Sequence, residues 1–487
     1  MERDDEKNEK NRKKRVLTKE QEKLVNELKE RNRDIFAKNQ YDVGKTEILK
    51  CTVNLKNENM EPVRSRANRF DNEEKELLRK EIRQYLDTDV IEESNSSWAA
   101  SCHFVPKANG KKRLVFNFTK LNEHVKKDNY PLPRIDEFLS RFEGAKWFTA
   151  LDLKSGFHNV VVEEKDREKL AFVCEEGLFQ WKRMPFGFKN APEIFQRMMD
   201  KALGNLRYTK ALGYIDDIII YSETFEQHLI DVQEVFDKIR EAGLKLGEEK
   251  CHFCIDEVEY LGYIVCQEGI KTNQKKNEKI RNFPIPKDIK EVRAFLGLVG
   301  YYRKFIKKMA HIAKPLYEML KKDKEYLWGK EQQSAFKKLK ERLDKAPILA
   351  YPDFEKPFIV TTDASKVAIA ATLSQVKEDG YEHPLEYFHK SLTEAERKWH
   401  SNEWEYLAIV EAVKNWRHYL RGQKFTIRTD SKTAKGWFRN YEEESGRDGG
   451  RKNRWKIYLQ GFDYEIIHIK GKENTVADIL SRTNFDE

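Results

Sequence analysis

Two adjacent carboxylates, Asp216 and Asp217, stand between the apolar runs Ala211-Leu212-Gly213-Tyr214-Ile215 and Ile218-Ile219-Ile220-Tyr221. Runs this short, rich in β-branched and aromatic residues, read as a tight hairpin with the acids at its turn. Like charges about 4 Å apart repel by roughly 4 kcal/mol at an effective dielectric near 20, so such a pair asks for a divalent cation or a shared proton. A solvated acidic turn would need neither, and the stretch alone leaves both readings open. A third acid shifts the balance: Asp152 closes the apolar run Trp147-Phe148-Thr149-Ala150-Leu151, where a sheet would bring it beside Asp216. Four further acids sit on separate elements downstream. Asp363 ends the strand-like Phe358-Ile-Val-Thr-Thr, Glu405 lies on a helical stretch, Asp430 ends Phe425-Thr-Ile-Arg-Thr, and Asp478 lies on a helical stretch near 473–480. Four carboxylates spread over a β-β-β-α-β-α-β-α order suit a site that surrounds two cations, because no single helix can do so. Glu403, two positions from Glu405, falls on another helical face, so only one of the two points inward.

The wording around these acids carries a resemblance. Leu151-Asp152-Leu153-Lys154-Ser155-Gly156-Phe157 followed by Tyr214-Ile215-Asp216-Asp217 resembles the two acidic motifs of a reverse transcriptase. Trp181-Lys182-Arg183-Met184-Pro185-Phe186-Gly187-Phe188, between them, is similar to the polymerases of Gypsy-type LTR retrotransposons, with retroviruses and plant pararetroviruses as more distant or sister matches. Thr362-Asp363-Ala364-Ser365, Glu405-Tyr-Leu-Ala-Ile-Val, Thr429-Asp430-Ser431 and Val476-Ala477-Asp478-Ile-Leu-Ser resemble, in order, the four acidic motifs of RNase H. The likeness runs from about residue 40 to 483.

The resemblance implies an α+β multidomain chain: a right-hand polymerase of fingers, palm and thumb followed by an RNase H-like α/β domain. The expected division is an N-terminal arm and helix at 1–40, fingers and palm at 41–270, thumb and connection at 271–350, and RNase H at 351–487. It implies RNA- and DNA-templated DNA synthesis and degradation of the RNA strand of RNA-DNA hybrids. Two magnesium ions per site, replaceable by manganese, would be held by Asp152, Asp216 and Asp217 in one site and by Asp363, Glu405, Asp430 and Asp478 in the other. Implied partners are a primed RNA or DNA template, an RNA-DNA hybrid and deoxynucleoside triphosphates, with a dimer left open. Lys107 and Arg113 would meet the triphosphate, Phe157 would gate against a 2′ hydroxyl, Phe186 would contact nucleotide or template, and Leu261 and Gly262 resemble a primer grip. Asn117 stands where the family usually has Asp, and Thr119 where it has Arg, which alters the expected closure of the fingers. His468, a strand-end histidine, carries two readings, assistance to product release and a purely structural role.

The elements that must position these residues are legible in outline. Thr18-Lys-Glu-Gln21 forms a capping box for a helix through Phe36. Leu77, Leu78, Ile82 and Tyr85 mark a second helix after Asp71. Asn109-Gly110, between strands from Phe104 to Asn122, signals a hairpin bristling with Lys107, Lys111, Lys112 and Arg113. Phe195, Met198 and Met199 mark the core face of a helix from 191 to 203, and 258–265 reads as one strand. Asp288-Ile-Lys-Glu291 caps a helix whose face carries Val292, Phe295, Leu296, Val299, Tyr302, Phe305 and Ile306. Residues 287–308 hold seven basic and two acidic side chains, a net of +5, as a surface that tracks phosphates would.

Length and composition bound the rest. A chain of 487 residues holds three or four domains. Its 39% hydrophobic content is enough for cores, and a net charge of +9 draws it toward polyanions without making it a histone-like binder. No apolar run approaches the ~18 residues of a membrane span, Met1 to Arg15 is too polar for a signal peptide, and residues 1 to about 17 read as a disordered arm. The expectation is a soluble cytoplasmic protein working within virus-like particles, with its six cysteines reduced. Cys251-His-Phe-Cys254 has zinc-knuckle spacing but no second ligand pair. With no protease-like Asp-Ser/Thr-Gly triplet and no integrase-like His/Cys cluster, the chain reads as a segment of a polyprotein. The alternatives are an inactive polymerase-like scaffold that binds nucleic acid and an RNA-directed RNA polymerase, the latter disfavoured by Phe157 and the second acid set.

Overall fold

The computed structural model describes residues 15–39, 41–106, 110, 112–135, 138, 140–321, 324–439 and 449–469. Lys107, Asp478 and the helix expected around Asp478 lie outside them. The chain forms two compact units that divide between Tyr260 and Leu261, ten residues before the expected end of the palm.

In the first unit, β1 (Trp147–Asp152), β2 (Ala211–Tyr214), β3 (Asp217–Ser222) and β4 (His252–Ile255) form an antiparallel sheet in the order β4-β1-β3-β2. Two helices, α1 (Ala191–Leu203) and α2 (Phe225–Glu241), pack on it and on each other. α1 opens with Pro192, whose fixed φ suits a first helical turn. Thr224 caps α2 by accepting from the Gln227 amide. Leu151, Ile218 and Ile220 share one buried core with Phe195, Met198 and Met199 of α1 and Val232, Val235 and Phe236 of α2, each stabilising the unit by about 1.5–3 kcal/mol. A second sheet, in the order Ile91–Glu93, Gly177–Trp181, Ala171–Cys174, Ala100–Pro106, Lys112–Asn117, carries the expected basic hairpin on its last two strands.

In the second unit, the hairpin Tyr263–Cys266/Gly269–Thr272 leads into α3 (Ile289–Tyr301), α4 (Met309–Met319) and a helix over Lys330–Asp344. A five-stranded sheet follows: β5 (Phe358–Ala364), β6 (Ala368–Val376), β7 (Glu382–Ser391), β8 (Lys424–Thr429) and β9 (Asp463–His468), in the order β7-β6-β5-β8-β9. β5 runs antiparallel to β6 and parallel to β8, so the long crossover between β5 and β8 carries α5 (Ser401–Asn415) onto the sheet. No helix among the described residues is long and apolar enough to cross a membrane.

Three local expectations need correction. The stretch 258–265 is two strands, not one, because Leu261 and Gly262 adopt φ of +47° and +78°, which no strand can continue through. The first helix stops at Arg31 and a 3-10 turn carries the chain to Ile35, since Asn32 turns its amide to Leu28 O and Gln233 Oε1. α3 stops at Tyr301; Tyr302, Phe305 and Ile306 are buried from the turn beyond it, and Lys304 lies buried with its Nζ 4.4 Å above the Tyr263 ring rather than on a solvated face.

Two buried histidines tie the first unit's stability to pH. His158 stacks on Trp181 at 5.1 Å, and His228 bridges Thr149 Oγ1 at 2.7 Å and Ser222 Oγ at 2.9 Å. Burial pushes both rings down to about 4. The unfolded chain takes up these protons near pH 6.5 and the folded one does not, so stability is complete above about pH 6.5 and falls as pH drops toward 4. Each histidine contributes up to about 3 kcal/mol to that loss. Urea unfolding followed by tryptophan fluorescence should show a lower midpoint at pH 5 than at pH 7.5; equal midpoints would contradict the burial argument.

Candidate active sites

The first acid set assembles as the sequence suggests. Asp217 opens β3 directly opposite Asp152 at the end of β1, so the two carboxylates share one face of the sheet. Asp216 sits in the two-residue turn between β2 and β3, and its carbonyl accepts from the Leu153 amide at 3.2 Å. The turn is strained: Ile215 adopts φ +56°, a region that β-branched residues avoid. Gln196 of α1 holds it there. Its Oε1 accepts from Ile215 N at 2.9 Å while its Nε2 donates to Gly213 O at 2.9 Å. Gly156 leaves room for the turn, because a Cβ there would lie 3.0 Å from Asp216 Cβ.

Burial raises the Asp216 carboxyl, and the charge of Asp152 adds to the effect. The hairpin mouth strips water from Asp217, which stays open to solvent on its outer side, and with the charges of Asp216 and Asp152 this pushes its carboxyl up to about 6. Lys250 answers part of the excess negative charge, its Nζ lying 3.0 Å from both Asp152 oxygens. Partial burial weakens that ammonium, but the bond to Asp152 and the charge of Asp216 outweigh it and the proton is held more tightly than usual. Neither Lys250 nor Gln196 is evident from sequence. Lys250 follows two glutamates and reads as a mixed-charge turn, and Gln196 reads as one more polar residue on a helix that also carries Glu193, Arg197, Asp200 and Lys201.

Beside the acids, Phe157 packs 5.0 Å from Phe186 and 5.5 Å from Phe195, and the Arg113 guanidinium stands 5.0 Å over the Phe186 ring. Four expected site residues, Arg113, Phe157, Phe186 and Asp216, thus share one neighbourhood. Lys112, from the same hairpin, is drawn instead to Glu74 at 3.1 Å, with Asp71 and Glu73 close by. Asn117 accepts from the Thr119 amide at 3.0 Å and serves as a local cap. In the second unit, Tyr301 OH donates to Leu261 O and Tyr302 OH to Gly262 O at 2.8 Å, fixing the left-handed turn. A side chain at 262 would be strained by its φ of +78° and would push aside Lys276 Nζ and Tyr301 OH.

The second acid set forms on the other sheet. Thr361 lies opposite Arg428 in the parallel β5/β8 pair, and two residues further along that register Asp363 comes beside Asp430. Glu405 reaches the same place from α5. Its burial, together with the charges of Asp430 and Asp363, pushes its carboxyl up to about 8, and Oε2 is enclosed without a hydrogen-bond partner. Glu403 faces elsewhere, as the helical spacing requires: it accepts from the His400 amide at 3.2 Å and from Arg451 at 2.6 Å. His468 ends β9 opposite Thr429, one residue before Asp430. Lys308, at the start of α4, lies with its Nζ 2.7 Å from Asp363 Oδ2.

Among the described residues no three His, Cys, Asp or Glu side chains converge closely enough to hold a metal ion. The donor sets nonetheless fit one chemically. Both consist of hard carboxylate oxygens, with Asp216, Asp217 and Glu405 held above the usual carboxylate range, and the enclosed Glu405 Oε2 has no hydrogen-bond partner of its own.

The acid pair on the strained hairpin of a four-stranded sheet places the first unit among right-hand polymerases, and the five-stranded sheet of the second is RNase H-like. Comparison with known proteins agrees. Residues 105–265 match the family model described as reverse transcriptase (RNA-dependent DNA polymerase), and residues 328–427 match the RNase H-like domain found in reverse transcriptase. The retrovirus-related Pol polyprotein from transposon 297 of Drosophila melanogaster is 43% identical over 413 residues, 84% of this chain and 38% of that protein. The transposon Tf2-3 polyprotein of Schizosaccharomyces pombe is 37% identical over 409 residues, 84% of this chain and 30% of that protein. This chain therefore spans about a third of the length of the curated relatives it matches. Among solved structures, the foamy viral protease-reverse transcriptase in complex with dsDNA superposes with a TM-score of 0.83 at 23% identity, covering 93% of this chain and 94% of that one. Its counterpart in complex with RNA/DNA hybrid gives 0.77 at 23% identity, covering 93% and 61%. The chain belongs to the reverse transcriptases, as a reverse transcriptase and RNase H segment of the LTR-retrotransposon kind. Domains of these two classes are generally dependent on divalent metal ions.

Proposed function

We propose that this chain extends a DNA primer on RNA or DNA templates with deoxynucleoside triphosphates and cleaves the RNA strand of the resulting hybrid, as the replicating segment of a retroelement polyprotein in cytoplasmic particles. The observation that carries the reading is the cross-strand pairing of Asp217 with Asp152, with Asp216 in the adjoining turn, beside Phe157 and Arg113. Bound at the two acid sets, divalent cations, magnesium first and manganese in its stead, supply the charge that activates a hydroxyl or a water and screens the phosphates. In the first unit, Asp152 and Asp216 would be the ligands, and Asp217 would complete the charge set with less direct ligation.

The remaining residues act by position. Arg113, already over the Phe186 ring, presents its guanidinium to the incoming triphosphate. Phe157, wedged between Phe186 and Phe195, cannot retreat from the sugar and so excludes a 2′ hydroxyl. Leu261 and Gly262 present backbone to the primer. In the second unit, Asp363, Glu405 and Asp430 would hold the cations, with Asp478 as the fourth acid, and hybrid shape and 2′ hydroxyls would select the substrate.

Incubation with a primed RNA template, deoxynucleotides and magnesium should give extended DNA and shortened RNA, and a chelator should stop both. Extension of DNA with intact RNA, or neither product, would break the double assignment. Phe157→Ala should raise ribonucleotide incorporation relative to deoxynucleotide by about 10–100-fold in competition assays, the range expected when one steric contact is removed. Unchanged sugar discrimination would remove Phe157 from that role.

A further inference from the structure

Both acid sets are met by a lysine, but the two lysines differ in origin. Lys250 comes from the turn just before β4, next to the strand it serves. Lys308 comes from the helical region, 55 residues before Asp363 in the chain, and belongs to no acidic motif. It is held in place by more than its own ion pair. It adopts φ +56° and begins α4, with its carbonyl accepting from the His311 amide at 3.0 Å. Met309 and Ala310, which follow it, are buried. One turn on, His311 Nε2 lies 2.7 Å from Ser365 Oγ. Ser365 is in turn fixed by the amides of Val367 and Ala368 at 3.1 and 3.3 Å. One helical turn therefore grips two positions, Asp363 near the end of β5 and Ser365 in the turn just after it, all within the second unit. A lysine merely waving from the surface would not be delivered to the same carboxylate by such a brace.

The contact is to the oxygen that a cation would need. A divalent ion binds a carboxylate oxygen at about 2.1 Å if magnesium, which would leave it and an ammonium 2.7 Å from the same oxygen within a few ångströms of each other. Like charges so close exclude one another, so either the ammonium or the ion holds Asp363 Oδ2. We propose that Lys308 is a tethered counter-cation that competes with divalent metal for Asp363 and thereby sets the metal concentration at which the nuclease site fills. The proposal rests on the reading of Asp363, Glu405 and Asp430 as a cation site. The Lys308 side chain is 47% exposed, and exposed ion pairs are weak, so the competition is a modest tax rather than a block: about two- to sixfold in apparent metal affinity.

Manganese binding to the full chain, without nucleic acid, tests this directly. Asp152→Asn and Asp216→Asn together silence the first acid set, and the manganese binding that a further Asp430→Asn removes belongs to the second. In the Asp152→Asn, Asp216→Asn background, with Asp430 intact, Lys308→Gln should tighten the second-site dissociation constant about two- to sixfold at an unchanged melting temperature, and Lys308→Arg, which keeps the charge, should leave it near the parent value. Equal affinity in Lys308→Gln and the parent would overturn the competition while leaving the cation site intact. A parent that shows no manganese binding sensitive to Asp430→Asn would overturn both the competition and the reading of the site on which it rests.

Discussion

Replacement of Asp216 by Asn should abolish primer extension, by about a thousandfold or more, and leave RNA-strand cleavage within about twofold of the parent. The prediction follows from where the side chain sits. Asp216 is in the turn that Gln196 and the Leu153 amide hold, so its backbone position does not depend on its charge. Asn is isosteric and keeps the hairpin, but it removes an anionic oxygen from a set whose members already repel one another. The folded protein without metal should therefore tolerate the change or gain slightly from it, since burial and Asp152 both raise the Asp216 carboxyl. A loss of extension in a variant that melts at or above the parent temperature assigns the residue to chemistry. Loss of both activities with a lowered melting temperature would assign it to folding instead. Gel assays of extension and of labelled-RNA cleavage on one enzyme preparation separate these results.

The reciprocal variant, Asp430→Asn, should abolish RNA cleavage by a similar factor and leave extension intact. Asp430 follows β8 and comes beside Asp363, and its charge helps hold the Glu405 carboxyl at about 8. Removing that charge should let Glu405 ionise more readily, so the variant loses a ligand without losing the fold. The two compact units make the independence physical: Asp152, Asp216 and Asp217 lie in one, Asp363, Glu405 and Asp430 in the other. A variant that lost extension as well would show that the two acid sets do not act separately.

How far the sequence reveals such a site depends on the kind of contact. Asp152, Asp216 and Asp217 announce themselves because each ends or interrupts a short apolar run, and the sheet does bring them together. Glu405 could be separated from Glu403 by helical spacing alone, and the two do face different partners. Helix starts at Thr18 and Asp288 followed from their caps, and the helix after Asp71 followed from its apolar spacing. What escaped reading was tertiary. Backbone φ at Leu261 and Gly262 split a run that alternates like a strand, because a left-handed turn leaves no trace in hydrophobic pattern. Lys304 looked like one more charge on a basic face, yet the Tyr263 ring buries it. Lys250 and Lys308 reach acids 98 and 55 residues away, and no local pattern encodes such a partner.

The central claim is that each acid set is a pocket for divalent cations, and anomalous scattering from manganese in crystals of the full chain with a primed RNA template tests it most directly. The account predicts anomalous density at the acid set of Asp152 and Asp216, further density at that of Asp363, Glu405 and Asp430, and the ammonium groups of Lys250 and Lys308 displaced from their carboxylates. Absence of anomalous density at both acid sets, with both lysines still on Asp152 and Asp363, would contradict it.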